Sequence, residues 1–352
     1  MKYITSEKME NAIVTMGKAR GDIEEIAQKL GYKRVVIPTV FSIRYKKWQK
    51  GTQFYLYYKN TKIWDEAFSK MEDGSTVILQ INFHNRCLNF YKLLEKHKDR
   101  LNFITVIHDL ESIRYIGDKT KSDGYMERTK RDEIGILKNS KKVISHNASM
   151  TKELVKFGVE EDKIINLEIF DYLSDCKELA KAHIDGNIII AGNLDPNKAG
   201  YIKNLAKTGV KYNLYGFNYK EEKIDNISYI GNFKPDELPG VLDGSFGLVW
   251  DGESIESCVG NIGRYLKYNN PHKTSLYLSS GLPVIAWKKA AMAPFIEGNK
   301  IGFTVDSLSD IKERLSTIKE SEYKEMIKNV SKIRENLRNG KYTAEALKKA
   351  EK

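Results

Sequence analysis

Short apolar runs of strand length alternate with longer stretches of helical period along this chain, and the alternation starts afresh once, near residue 187. A helix between two strands returns the chain to the same edge of a sheet, so this pattern demands parallel sheets with crossover helices. In the first half the strand candidates are 34–38 (RVVIP), 76–82 (TVILQIN), 103–110 (FITVIHDL), 142–147 (KVISHN) and 164–170 (IINLEIF). Helical segments over 21–30, 61–72, 86–98, 126–139 and 148–157 separate them. Asn147 is placed to cap the last helix, and Gly158 suits the left-handed residue beyond its end.

The segment 171–183 (DYLSDCKELAKAH) reads as a polar helix, and new strands follow at 187–193, 212–216, 227–233, 246–252, 282–287 and 302–306. The sequence therefore predicts an α/β protein of two Rossmann-like domains, 1–170 and 187–329, joined by 171–186. Its last segment, 330–352, is placed to pack back on the first domain. Tyr323, Met326, Ile327, Val330, Ile333 and Leu337 recur at helical spacing and read as a core stripe. Open parallel sheets bind ligands beyond the carboxyl ends of their strands, so two such domains imply a cleft whose loops carry the chemistry.

The length of 352 residues suits two domains, and a mean hydropathy of −0.49 with 30% charged residues excludes a membrane-spanning or disordered chain. No apolar run reaches the roughly 18 residues of a membrane helix, and the N-terminus lacks a signal-peptide stretch, so a cytoplasmic location is expected. Cys87, Cys176 and Cys258 are far apart with no C-x-x-C, and read as reduced core thiols. The 58 Lys and Arg against 47 Asp and Glu give +11, a balance that fits nucleotide phosphates, nucleic acid or an acidic membrane face. The cations are dispersed and no nucleic-acid motif accompanies them, so nucleic acid is not the expected partner.

The most informative stretch is 260–287. Asn270 sits where a helix cap belongs, Pro271 takes the first helical position, and Gly281 follows the helix, which predicts a helix over 271–280. Lys273 in its first turn opposes the helix dipole, a violation that an anion bound at the free amides would relieve. An exposed lysine in a tolerant turn is the other reading. Asp251 and Gly252 close a strand where a carboxylate can bond hydroxyls and a glycine admits a ligand, or where they simply make a turn. His108 and Asp109 end a buried strand; Asp109 suits a base that takes a proton from an attacking hydroxyl, or a helix cap. Arg114 is placed to steer a charged group or to pair with Asp109. Asp-x-Asp is absent and no cluster has metal-ligand spacing, which predicts a metal-independent chemistry.

With its flanks, GNIGRYLKYNNPHKTSLYLSSGLPVI resembles the motif of bacterial glucosyltransferases that extend N-acetylglucosamine on serine-rich adhesins, and of related β-1,6-galactofuranosyltransferases. The resemblance extends to AGNLDPNKAGYI, LYGF, GLVWDG, VIHDLESIR and GKARGDIEEIAQKLGY, in both halves of the chain. It implies the GT-B fold and a UDP-sugar donor held by the second domain. Lys273, Asn269, Asn270 and Gly263 would then line the diphosphate and nucleotide site, Asn193 and Lys198 would face the same group, and Tyr215 would meet the uracil or ribose. Gly17 and Lys18 carry over as acceptor-side loop residues.

The implied reaction moves glucose or galactofuranose to a hydroxyl of a glycan carried on protein or lipid, by an enzyme expected to be a homo-oligomer. Glu253 is followed eight positions on by Asn261, not by a second glutamate, which favours inversion. The basic segment 312–352, with 12 Lys and Arg against 7 Glu, suits peripheral contact with anionic lipid. A UDP-sugar epimerase of the same fold and a non-enzymatic nucleotide- or nucleic-acid-binding protein are the alternatives.

Overall fold

From the N-terminus, the computed structural model describes residues 1–8, 15–38, 50–81, 87–118, 120–220 and 223–352. They divide into two compact units, Met1–Leu167 with Thr343–Lys352, and Glu168–Tyr342.

In the first unit the strands β1 (Lys2–Lys8), β2 (Lys33–Pro38), β3 (Ser75–Ile81), β4 (Leu101–Ile107), β5 (Lys142–Ser145) and β6 (Ile164–Asn166) form a parallel sheet in the order β2-β1-β3-β4-β5-β6. The helices α1 (Thr15–Lys29), α2 (Lys50–Ser69), α3 (Phe90–His97), α4 (Glu111–Arg114), α5 (Asp123–Lys138) and α6 (Ala148–Lys156) lie between them in sequence. Asn147 caps α6 through the amides of Ser149 and Met150, and Gly158 follows at φ +84°. Asn82 and Arg86, at the ends of an expected strand and helix, lie outside the described residues.

Two elements depart from the sequence pattern. β1 pairs on both sides yet is missing from the apolar runs, because its sequence KYITSEK buries Thr5 and Ser6 beside Ile4. Side-chain bonds satisfy those hydroxyls: Thr5 donates to the Ile78 carbonyl at 3.1 Å, and Ser6 accepts from Arg34 at 2.9 Å. α2 starts at Lys50, eleven residues before the expected 61, through KGTQFYLYYK, whose aromatic residues fall on every side and hide the period.

The second unit contains β7 (Lys181–Ala182), β8 (Ile188–Asn193), β9 (Tyr212–Phe217), β10 (Ile227–Gly231), β11 (Asp243–Gly244), β12 (Gly247–Val249), β13 (Val284–Trp287) and β14 (Gly302–Val305). Six of these make a parallel sheet in the order β10-β9-β8-β12-β13-β14, and β7 pairs with β11. Its helices are α7 (Pro196–Ala199), α8 (Leu238–Val241), α9 (Gly260–Tyr265), α10 (His272–Ser280), α11 (Ala293–Gly298), α12 (Ile311–Thr317) and α13 (Glu320–Arg338).

The polar helix expected over 171–183 does not form. That segment runs as an extended strap whose carbonyls are taken by side chains: Ser279 donates to Tyr172 and Arg338 to Cys176. Those bonds replace the intrahelical ones, and Cys176 is left half-buried while Cys87 and Cys258 are core thiols. The stripe on α13 is core, with Tyr323, Met326, Val330, Ile333 and Leu337 buried. The expected tail 330–352 is divided: residues to Tyr342 stay with the second unit, and those from Thr343, within α14 (Lys341–Ala350) and beyond, join the first. There Glu351 accepts from Tyr32 at 2.6 Å and pairs with Lys2 at 2.8 Å.

Candidate functional site

In the second sheet the strand order reverses between β8 and β12, which share a single register pair, Ile189 with Gly247. Beyond that pair Tyr277 of α10 enters the gap, its hydroxyl accepting from the Ala191 amide at 2.8 Å and facing the Leu248 carbonyl at 3.3 Å. Residue 247 must be glycine, since a Cβ would stand 2.1 Å from the Tyr277 ring. The strands therefore splay at their carboxyl ends, where open α/β sheets place ligands.

Lys273, the second residue of α10, lies at this splayed end, its stem 3.8 Å from where a Cβ on Gly192 would be. Its Nζ sits 2.8 Å from Asp251 Oδ1 and 3.2 Å from the Trp250 carbonyl, with side chains only 12% and 9% exposed for Lys273 and Asp251. Burial pushes the Lys273 pKa down, Asp251 opposes the shift, and Lys198 adds to it. The lysine that violates the dipole rule thus already has an anion, the chain's own carboxylate. With Lys198 close by, the group carries two cations against one anion beside the amides of α10.

Asn193 accepts from the Asp195 amide at 3.0 Å and from Asn218 at 3.1 Å, shaping the loop after β8. The Lys198 carbonyl accepts from the Gly252 amide at 2.8 Å, tying that loop to the one after β12. Three buried polar atoms of this unit, Asn269 Oδ1 and Thr274 Oγ1 close to Lys273 in sequence and the Tyr201 hydroxyl within reach of the Asp251 charge, have no hydrogen-bond partner among the described residues. Burial raises the Tyr201 pKa, and the Asp251 carboxylate adds to the shift. Orphaned polar atoms of this kind carry a desolvation cost that a polar ligand removes.

Several expectations are corrected in this unit. Asn270 is not the cap of α10; Pro271 holds that position, and Asn270 is buried with its Nδ2 donating to the Glu168 carbonyl at 2.9 Å. The proline ring fixes the extended entry, so the helix starts one residue later. Tyr215 is buried against Phe233 with its hydroxyl accepting from the Asp243 amide, because the strand's alternation turns it into the core; it offers no exposed face to a base. At Gly252 (φ +112°) and Gly263 it is the chain's own backbone that comes close: a Cβ would meet the Val259 carbonyl at 2.5 Å and Cys258 at 2.7 Å.

In the first unit β4 delivers His108 and Asp109 at its end. Arg114 pairs with Asp109 at 2.5 Å, as the sequence reading allowed. Asp109 is not a helix cap: the Glu111 and Ser112 amides that open α4 donate to Glu133, at 2.8 and 2.9 Å. His108 Nε2 is 2.8 Å from Gln80 Oε1. Gln80 turns its Nε2 to the Arg20 carbonyl and Glu24, groups that only accept, so its oxygen faces His108 and His108 Nε2 carries the proton. Glu24 in turn pairs with Arg34 at 3.0 Å, and burial raises its pKa against the pull of Ser6, Arg34 and Arg20. Gly17 and Lys18 stand in α1 rather than in a loop, and Lys18 pairs one turn on with Asp22 at 2.9 Å. Among the described residues no group of three His, Cys, Asp or Glu side chains could hold a metal ion, and no helix is long and apolar enough to cross a membrane.

Residues 1–169 match the Glucosyltransferase 3-like N-terminal domain, and residues 188–350 match the C-terminal domain of the same family. The chain belongs to the glucosyltransferase 3-like family. Its fold is GT-B and it is a glycosyltransferase. Over 265 residues it is 38% identical to the beta-1,6-galactofuranosyltransferase WbbI of Escherichia coli, covering 73% of this chain and 72% of that one. Glucosyltransferase 3 of Streptococcus parasanguinis is 24% identical across 98% of this chain and 96% of its own. Among solved structures, Anabaena HepE in complex with UDP and glucose superposes with a TM-score of 0.56 at 12% identity, covering 99% of this chain and 98% of that one.

The family's early motif therefore maps onto α1, and its NNPHK motif onto the entry to α10. The residues missed by sequence reasoning are Gln80, Glu24, Glu133, Tyr201, Thr274 and Tyr277. A glutamine inside the apolar run VILQI and a tyrosine inside SLYLSS were visible signals, but their partners lie dozens of residues away.

Proposed function

We propose that this glycosyltransferase takes a UDP-sugar as donor and passes its hexosyl unit, glucose or galactofuranose, to a hydroxyl of a glycan acceptor without a metal ion. The observation that carries the proposal is the buried Lys273–Asp251 pair at the opening of α10 on the strand-order reversal of the second unit. In this reading the diphosphate takes over Lys273, the α10 amides and Lys198, while Asp251 is released toward the sugar hydroxyls. The names of the two relatives support the choice of sugar, and the UDP and glucose in HepE support the donor class.

Chemically, the acceptor oxygen attacks the anomeric carbon as the bond to the UDP oxygen breaks, an inverting displacement. Asp109 takes the acceptor's proton, oriented by Arg114, with His108 beside it held by Gln80. UDP leaves with its charge balanced by Lys273 and the helix end. A lipid carrier holding the acceptor would suit the basic residues of 312–352.

The test incubates purified protein with UDP-glucose or UDP-galactofuranose, with and without a panel of glycan acceptors. UDP release that requires acceptor, and that EDTA leaves unchanged, is the expected result. Accumulation of an isomeric UDP-sugar without acceptor would replace transfer by epimerisation.

A further inference from the structure

Tyr201 stands near the start of the 3₁₀ helix Gly200–Thr208, and its side chain is wholly buried in the core that includes Ile188, Ile190, Tyr212 and Trp250. Its hydroxyl has no hydrogen-bond partner among the described residues. A phenylalanine would fill the same place without the desolvation cost of an unbonded oxygen, so the free protein gains nothing from this atom. Neighbouring hydroxyls are already committed. That of Tyr212 meets Thr208 Oγ1 at 2.9 Å, and that of Tyr277 is engaged by the Ala191 amide and the Leu248 carbonyl.

The backbone brings this phenol to Asp251. The Tyr201 amide donates to the Gly252 carbonyl at 3.1 Å, the Gly252 amide donates to the Lys198 carbonyl at 2.8 Å, and a Cβ on Gly200 would stand 3.3 Å from the Glu253 Cα. Segment 198–201 is thereby locked against 251–253. The Asp251 carboxylate is near enough to act on the Tyr201 phenol without being bonded to it, while the Cys258 sulfur faces the Asp251 amide. In the free protein the counter-charge of that carboxylate is Lys273, at 2.8 Å.

When a diphosphate takes Lys273, as the donor reading proposed above holds, Asp251 becomes the costly survivor of a broken buried pair, an ionised group only 9% exposed. A neutral O–H donor would satisfy it without adding a charge that the diphosphate also attracts, and a bond to an ionised acceptor is the stronger kind. We infer that Tyr201 is the positioning residue of Asp251: once the donor diphosphate occupies Lys273, the Tyr201 hydroxyl donates to the Asp251 carboxylate and holds one of its oxygens, so that the other faces the sugar. This role rests on the donor reading but not on which sugar is transferred.

Calorimetric titration of the full chain with UDP, together with thermal melting of the free protein, tests it. Tyr201→Phe should weaken UDP binding about tenfold, the size of a lost bond to a charged acceptor, while the melting temperature of the free protein holds or rises. A merely structural hydroxyl would lower that temperature instead. Tyr212→Phe, which removes a hydroxyl already bonded in the same core, should show the reverse pattern, a lower melting temperature with UDP affinity unchanged. In an Asp251→Ala background, where no carboxylate is present to receive the bond, adding Tyr201→Phe should leave UDP affinity unchanged. A wild-type protein that fails to bind UDP would remove the donor reading itself. With wild-type binding intact, unchanged UDP affinity in Tyr201→Phe, a lower melting temperature in that variant, an equal loss of affinity in Tyr212→Phe, or the same loss in the Asp251→Ala background would each overturn the inference alone.

Discussion

The two sheets arrange polarity at their strand ends in opposite ways. The second unit concentrates it in one buried ion pair, Lys273 with Asp251, whose carboxylate also acts on the unpartnered Tyr201 hydroxyl. The first unit spreads it over a relay that runs from Ser6 through Arg34, Glu24 and Gln80 to His108, with the half-exposed Asp109–Arg114 pair beside it. A single buried pair is costly to break because either survivor is left charged in a poorly solvated place. A relay loses one bond at a time. The second arrangement suits a fixed anchor for a charged donor, and the first suits a group that must exchange a proton with incoming acceptors.

The largest effect should come from Asp109→Asn, which keeps shape but removes proton acceptance. Turnover should fall by about 10² to 10⁴, with UDP affinity by calorimetry unchanged. Since Asp109 caps no helix, a loss of thermal stability is not expected, and retained turnover would move the base to His108.

Lys273→Met should break the anchor. Losing the charge-assisted contact should weaken UDP binding about ten- to a hundred-fold, and stranding Asp251 should destabilise the second unit by about 3–5 kcal/mol. The double variant with Asp251→Asn should recover much of the stability in chemical denaturation but none of the UDP affinity. Equal stability of single and double variants would show that the pair is not the buried contact described.

A smaller effect separates the units by pH. His146 is buried at the end of β5 beside His108, and burial pushes its pKa down to about 4, with Asp109 pulling against the shift. The unfolded chain protonates this residue near pH 6.5, so below that pH it binds a proton the folded unit refuses. Stability should be full above about pH 6.5 and fall by up to about 3 kcal/mol as pH drops to 4. In His146→Asn that segment of the pH–stability curve should flatten; an unchanged slope would assign the acid sensitivity elsewhere.

The smallest effect is expected from Gln80→Leu, which cuts the relay at its middle. Losing one neutral hydrogen bond should cost about 0.5–1.5 kcal/mol of stability, and freeing the His108 ring beside the base should lower kcat by less than about tenfold while KM for the donor holds. A change in donor KM alone would separate Gln80 from the chemistry.

What was legible in the sequence follows the kind of force involved. Five strands of the first sheet and all six of the second announce themselves as apolar runs; for interior strands such as β3, β4, β8, β12 and β13 burial demands it, whereas the edge strands β2, β6 and β10 keep the apolar pattern while largely exposed or half-buried. β1 hides since two of its buried residues are hydroxyls satisfied by other elements, and the strap at 171–183 mimics a helix because its backbone partners are side chains of α10 and α13. At the site, Lys273 and Asp109 stand out through position in a motif. That Lys273 answers to Asp251, 22 residues upstream, and His108 to Gln80, 28 upstream, is a matter of tertiary pairing that local spacing does not encode.

The tyrosine lodged between β8 and β12 has a further consequence. With one register pair holding the middle of the second sheet, that sheet is two half-sheets stitched by a phenol, and the Ala191 amide is protected by a side chain rather than by a neighbouring strand. Hydrogen exchange at Ala191 therefore clocks the opening of the seam itself, independent of global unfolding. Tyr277→Phe, which leaves ring packing over Gly247 in place, should quicken exchange there while β9 and β13 stay slow.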